Sequence, residues 1–282
     1  MPKVCVYHAA DLDGWCSAAV VKRFVPDCEL VPMNYGDSFP LDYAKEFCQT
    51  MYMVDFSLQP FDEMAKVRDA LGRSFIYIDH HKSALEDPRA EGFDGLRRIG
   101  TGACALAWEY FTKEPIPELV RLLAEYDVWD HHDPRAVPLQ YGIKSMDNIR
   151  PSSKEGIARW QKLIDGDPPV DGLVMVGQKI LTYVTQRNED YTKAASFETE
   201  FEGMKCLAVN AMLAGSELLS SRWNDKMYDA MILFGWRGGS WTVSLYTTRK
   251  DVDVSVVAKK YMGGGHVGAS GFQCSMLPFK LK

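Results

Sequence analysis

The apolar positions of this chain fall into two rhythms that alternate. Lys3 to Tyr7 (KVCVY), Thr50 to Val54 (TMYMV) and Phe75 to Ile78 (FIYI) are short runs of β-branched, aromatic and other apolar residues, the composition of buried strands. Glu29 to Pro32 is a shorter strand candidate. Between these runs the period lengthens. Trp15 to Phe24 sets Ala18, Ala19 and Val21 near one face, and Phe61 to Leu71 does the same with Met64, Val67 and Leu71. Leu41 to Phe47 is a further helix candidate, and Thr101 to Phe111 and Pro117 to Tyr126 continue the helical pattern. Strands alternating with helices predict an α/β fold around a parallel sheet.

The character changes at Pro151. Pro151-Ser152-Ser153 caps a helix running to about Ile164, and Asp165 to Gly172 (DGDPPVDG) stops it with every turn signal available. Leu173 to Ala195 then reads as one long helix. Beyond it lie a strand (Cys206 to Asn210), a helix (Gly215 to Trp223) and two strands (Ala230 to Gly235, Trp241 to Thr247). The turn Arg237-Gly238-Gly239-Ser240 joins those two strands as a pair. A short helix (Val254 to Tyr261), a glycine-rich run and a last strand from Phe272 complete the chain. The expectation is a parallel-sheet N-terminal domain over 1–150, a helical linker over 151–195 and a smaller α/β domain over 196–282.

Polar chemistry collects where the first strands end. Lys3 to Tyr7 runs into His8-Ala9-Ala10-Asp11-Leu12-Asp13-Gly14, Thr50 to Val54 into Asp55, and Phe75 to Ile78 into Asp79-His80-His81. In open α/β sheets, ligands bind outside the carboxyl ends of the strands. Asp11 and Asp13 are two apart, so in an extended segment they point the same way and repel unless a cation lies between them. The competing reading is an Asp-rich loop with a helix-capping acid. Asp127 closes the Pro117 to Tyr126 helix and opens a second triplet, Asp130-His131-His132, whose histidines read as pocket wall or surface. All six histidines lie in these stretches or in the glycine-rich run, Gly263 to Gly271 (GGGHVGASG), which holds His266. Such a run offers backbone N–H groups to an anion. It does not fit a Walker A loop, because no Gly-Lys-Ser/Thr follows.

Composition narrows the partners. The chain has 282 residues, 46% hydrophobic and 25% charged, with a net charge of −6. An acidic chain lacks the basic field that tracks long nucleic acid, so a nucleic-acid substrate should be short and held locally, with no long duplex expected. No apolar run approaches the roughly 18–20 residues of a membrane span, and no signal-peptide pattern opens the chain. Seven scattered cysteines without a Cys-x-x-Cys pair suggest reduced thiols and a cytoplasmic protein.

These stretches together resemble the DHH phosphoesterase superfamily, in its subfamily with a C-terminal DHH-associated substrate-binding domain. Asp79-His80-His81 is similar to the eponymous triplet, His8-x-x-Asp11-x-Asp13-Gly14 to the first motif, Asp55 to the second and Asp127 to the fourth. The first motif departs in having two residues, not three, between His8 and Asp11. GGGHVGASG is similar to the signature of the associated domain. The resemblance implies two metal ions, one on His8, Asp11 and Asp55, the other on Asp13, Asp55, His80 and Asp127, with Asp55 shared. It implies that Asp79 orients an imidazole, that His81 faces the phosphate, and that Arg249, Gly264, Gly265 and His266 hold the rest of the substrate. A ligand set of carboxylates and imidazoles without thiolate suits Mn2+, with Mg2+ as the alternative. The expected activity is hydrolysis of short oligonucleotides to nucleoside monophosphates. A phosphatase or phosphodiesterase acting on a 3′,5′-bisphosphate nucleotide or a linear or cyclic dinucleotide, and a nucleotide-binding module with an inactive site, stay open, as does a homodimer.

Overall fold

The computed structural model describes residues 2–42, 46, 48–130 and 132–281, and it divides into two compact units, Met1–Leu181 and Thr182–Lys282. The first unit opens with β1 (Lys3–His8), α1 (Leu12–Phe24), β2 (Cys28–Met33), β3 (Thr50–Val54), α2 (Asp62–Leu71) and β4 (Phe75–Ile78). The short α3 (Lys82–Leu85) follows, then α4 (Ala103–Phe111), α5 (Glu118–Asp127), α6 (Ala136–Lys144), α7 (Lys154–Ile164) and α8 (Val170–Ala195). Its sheet has the order β2-β1-β3-β4, with every pair parallel. The strands are apolar throughout because both faces are covered. On one face Cys5, Tyr7, Val54 and Ile78 pack with Ala18, Val21, Leu106 and Leu122. On the other, Val4, Val6, Met53 and Tyr77 pack with Met64, Val67 and Phe93.

The segment expected as a linker does not stand apart. Trp160, Leu163, Ile164, Val170 and Leu173 are buried in the core that holds α1. Gln161 also donates its side-chain amide to the Ala19 carbonyl at 2.9 Å. An amphipathic helix with a buried Trp has to be packed against something, and here the boundary between units moves into α8. The helix expected over Leu41 to Phe47 lies partly outside the described residues.

The second unit holds β5 (Phe197–Phe201), β6 (Met204–Asn210), β7 (Ala230–Arg237), β8 (Ser240–Tyr246), α9 (Val254–Lys260), β9 (Gly264–His266) and β10 (Ala269–Cys274). They form a six-stranded sheet, β5-β6-β7-β8-β10-β9, in which β6 and β7 are parallel and the other pairs antiparallel. Where a helix is expected over Gly215 to Trp223, only a 3-10 turn forms, Ser216–Leu219. Leu218 and Leu219 are its buried residues, and the serines after them favour turns over helix interiors. β5 reads Phe-Glu-Thr-Glu-Phe, a period-two signal that the apolar content alone passes over. α6 carries Pro138 and Gly142, which hide it from a propensity reading.

Candidate metal centre

Register sets the site. Tyr7 lies opposite Val54 on β3, and Val54 opposite Ile78 on β4. The next residues of these three neighbouring strands are His8, Asp55 and Asp79, so all three stand on one tier at the carboxyl edge. β2 and β3 flank β1 on opposite sides. The chain therefore reverses the direction of sheet growth at β1, the topology that opens a crevice.

Local backbone then aims the side chains. Asp55 has φ 54, in the left-handed region that Asp tolerates better than most residues, and its amide donates to the Ile78 carbonyl at 3.0 Å. Asp11 is the N-cap of α1 and accepts from the Gly14 amide at 2.9 Å. The helix starts three residues earlier than its apolar period suggests, so Asp13 sits in its first turn and not in an extended segment with Asp11. Both oxygens of Asp13 accept amides from the first turn of α4, Ala103 at 2.6 Å and Cys104 at 2.8 Å. A helix N-terminus is a favourable place for that charge. Gly14 permits the arrangement, since a Cβ there would lie 2.1 Å from the His8 carbonyl oxygen. Asp127 is the last residue of α5.

Three groups of ligand-type atoms result: His8, Asp11 and Asp55; Asp13, Asp55, His80 and Asp127; and Asp55, Asp79, His80 and His81. Asp55 belongs to each. Its Oδ2 lies 3.7 Å from His8 Nδ1 and its Oδ1 3.2 Å from His80 Nε2, so its two oxygens face different groups. His8 Nδ1 is 2.9 Å from Asp11, and His80 Nε2 is 3.1 Å from Asp127 and 3.7 Å from Asp13. Yet His8 Nδ1, His80 Nε2 and both oxygens of Asp55 are buried without a partner in hydrogen-bond geometry. Within each group the ligand atoms lie within 4.8 Å of one another, close enough to share one ion. Buried polar groups are otherwise nearly always paired. Carboxylate and imidazole donors left in this way fit a divalent cation of the Mn2+ or Mg2+ kind.

Charge in the cluster is unbalanced as it stands. Burial, together with the charges of Asp55 and Asp127, pushes Asp13 well above the usual carboxylate range, and burial with Asp11 raises Asp55. Burial opposes protonation of His80 and His8, yet their acidic neighbours carry them to about 12 and about 10. A cation bound here would compete with protons for the same imidazole nitrogens.

Asp79 is used differently. It is fully buried; Oδ2 accepts the Tyr77 hydroxyl, and Oδ1 accepts the His80 amide at 2.8 Å, the His81 amide at 3.3 Å and the His81 ring Nδ1 at 2.7 Å. Its oxygens are spent on these donors and it holds the imidazole of His81. Burial raises the Asp79 pKa, but His81 first among the partners brings it down to about 2. Burial lowers that of His81, and Asp79 more than offsets this, to about 9.

The remaining expected residues lie in the second unit. The glycine-rich run is a β-hairpin, not a loose loop: β9 pairs with β10, and His266 lies opposite Ala269. Gly265 has φ +137 and no room for a Cβ, which would meet Ser270 Cα at 2.6 Å. Gly264 has open space around it. Arg249 is paired with carboxylates of its own unit. Its guanidinium grips Asp251 at 3.0 and 2.6 Å and Asp229 at 2.9 Å, because those carboxylates are its nearest counter-charges. In the second triplet, His132 is exposed and pairs with Asp130 at 2.7 Å, and His131 lies outside the described residues.

Tyr35 was not anticipated. Its ring lies 5.5 Å from that of His8, edge-on, and 5.0 Å from that of Phe56. The signal was present: like the histidine and acids, it closely follows the end of a strand, β2.

Residues 3–124 match the DHH family, N-terminal domain. Over 301 residues the chain is 25% identical to oligoribonuclease NrnB of Bacillus subtilis (strain 168), covering 96% of this chain and 72% of that protein. It is also 25% identical over 311 residues to the uncharacterized protein R106 of Acanthamoeba polyphaga mimivirus, covering 98% and 69%. Among solved structures it is similar in fold to the pGpG-specific phosphodiesterase PggH of Vibrio cholerae, with a TM-score of 0.52, 12% identity, and coverage of 98% of this chain and 94% of that one.

Proposed function

We propose, on the match of residues 3–124 to the DHH family N-terminal domain, that this chain is a metal-dependent phosphodiesterase that hydrolyses short oligonucleotides to nucleoside monophosphates. The observation that carries this reading is the pair of ligand groups sharing Asp55, whose buried oxygens and neighbouring imidazole nitrogens lack hydrogen bonds. Similarity to a protein named as an oligoribonuclease supports the substrate class.

His8, Asp11 and Asp55 would hold one Mn2+, and Asp13, Asp55, His80 and Asp127 the other. Bound there, paired cations supply positive charge to the phosphate oxygens and acidify the attacking water. The chain's own residues do the rest. The α4 amides fix the carboxylate of Asp13 in place and offset part of what its burial and its acidic neighbours cost. Asp79 fixes the ring of His81 through Nδ1 and supports its charged form, so that the imidazolium faces the phosphate and can stabilise charge or give a proton to the leaving oxygen. In the second unit His266 and the Gly265 backbone are the candidates for gripping the non-reacting part of the substrate, with Arg249 a tie within that unit.

Product analysis tests this. Chelated protein, with and without added Mn2+, is given a dinucleotide, a 5-mer and a 3′,5′-bisphosphate nucleotide. Monophosphates from the first two, only with metal, are expected. Turnover of the bisphosphate alone would make the protein a phosphatase, and no turnover of any substrate would leave a binding module.

A further inference from the structure

Helix α5 ends in a way its sequence does not explain. The Asp130 amide donates to the Glu125 carbonyl at 3.3 Å and the Trp129 amide to Tyr126 at 3.1 Å. This is the six-to-one and five-to-two pattern of a Schellman motif, with Trp129 at the position after the cap. That position takes a left-handed backbone, and Trp129 has φ 57. Glycine is the usual occupant, because a side chain there is strained; a bulky one is an outlier. Strain of this kind persists where something requires the side chain.

The indole is 62% exposed and stacks on Tyr126, with ring centroids 6.3 Å apart and planes 26° from parallel. Tyr126 in turn packs against the core. The motif thus fixes a large aromatic surface two residues beyond Asp127, whose carboxylate reaches His80. Leu213 and Met262 are also exposed with positive φ, but they are not aromatic.

We propose that Trp129 is a stacking platform for a nucleobase of the substrate, held beside the hydrolytic centre at the expense of helix-end stability. The proposal rests on the phosphodiesterase reading for the kind of ligand. Every base has a π-face, so an aromatic platform grips nucleotides with little sequence preference. A chain of net charge −6 gains little from a general attraction to phosphates, so a neutral contact of this kind suits a short substrate.

The test compares wild type with W129G and W129F, all Mn2+-loaded. W129G supplies the residue the backbone prefers, so it should melt no lower than wild type and keep its metal content. Its dinucleotide Kd, read by calorimetry independently of turnover, and its KM should rise roughly 10- to 100-fold, the range spanned by loss of one aromatic–base stack. An abasic sugar–phosphate–sugar analogue should be handled equally by all three proteins, and W129F should recover most of the dinucleotide binding. Unchanged Kd and KM for the dinucleotide in W129G would overturn the proposal, as would equal loss on the abasic analogue. Failure of wild type to bind the dinucleotide would also overturn it. Binding that depends on Trp129 without any hydrolysis would instead overturn the phosphodiesterase reading and leave the platform standing.

Discussion

Replacing Asp79 by Asn separates what this residue does by charge from what it does by shape. The amide is isosteric. Its carbonyl can keep the three donors now on Oδ1, the His80 and His81 amides and His81 Nδ1. Its NH2 then faces the Tyr77 hydroxyl, which must turn from donor to acceptor. The fold should therefore survive. What is lost is the counter-charge of a buried imidazolium. Burial alone would hold His81 below its ordinary value, yet Asp79 takes it from 6.5 to about 9. At about 1.4 kcal/mol for each tenfold change, that is roughly 3 kcal/mol in favour of the charged ring. Because the folded value is raised, this contribution is fully present below about pH 6.5 and disappears as the pH rises through about 9. In D79N the His81 titration, followed by NMR in metal-free protein, should move down by about two pH units or more. With metal restored, kcat at neutral pH should fall by about 100-fold while metal stoichiometry holds. A His81 midpoint within half a unit of wild type, about the limit of a resolvable change, would show that Asp79 does not support the imidazolium. Loss of bound metal would show that Asp79 is a ligand after all.

Four further outcomes follow from the same geometry. Chelation should abolish activity and Mn2+ should restore it best; full activity in excess chelator would dismiss the metal reading. Mn2+ binding should release protons and tighten between about pH 6 and 8, because His8 and His80 are held protonated without metal; calorimetry in two buffers of different ionisation enthalpy reads this, and zero proton release contradicts it. His80→Ala should lose metal and several orders of magnitude in turnover, whereas His132→Ala, on an exposed side chain, should change neither, as metal analysis and kinetics would show. Gly14→Ala, with its Cβ 2.1 Å from the His8 carbonyl, should lose stability at the upper end of ~1–3 kcal/mol by urea denaturation, while Gly264→Ala should melt like wild type and Gly265→Ala should not.

The sequence by itself determined the α/β class, the strands now seen as β1, β3 and β4, and the residue types at their ends. It could do so because burial on both faces leaves a continuous apolar run, and such a run stops abruptly where the sheet ends. His8, Asp55 and Asp79-His80-His81 were legible for that reason. The first and fourth motifs could be named by resemblance, but their geometry could not be read. That Asp13 meets the amides of Ala103 and Cys104, some ninety residues away, depends on how α1 and α4 pack, which no local pattern encodes. Strand order was likewise decided only in three dimensions. Placing β3 beside β1 on the side away from β2 sets His8, Asp55 and Asp79 on one tier, whereas the same strands in chain order would separate β1 from β3 by another strand, a further ~4.8 Å. The tertiary structure also paired Arg249 with Asp229, twenty residues away, and with Asp251. It gave α7 to the first unit by burying Trp160. It put a tryptophan where the end of α5 asks for glycine. For Arg249 and Trp160 a long-range contact overrode, or made use of, what the local sequence preferred, whereas Trp129 is held by contacts within its own helix end.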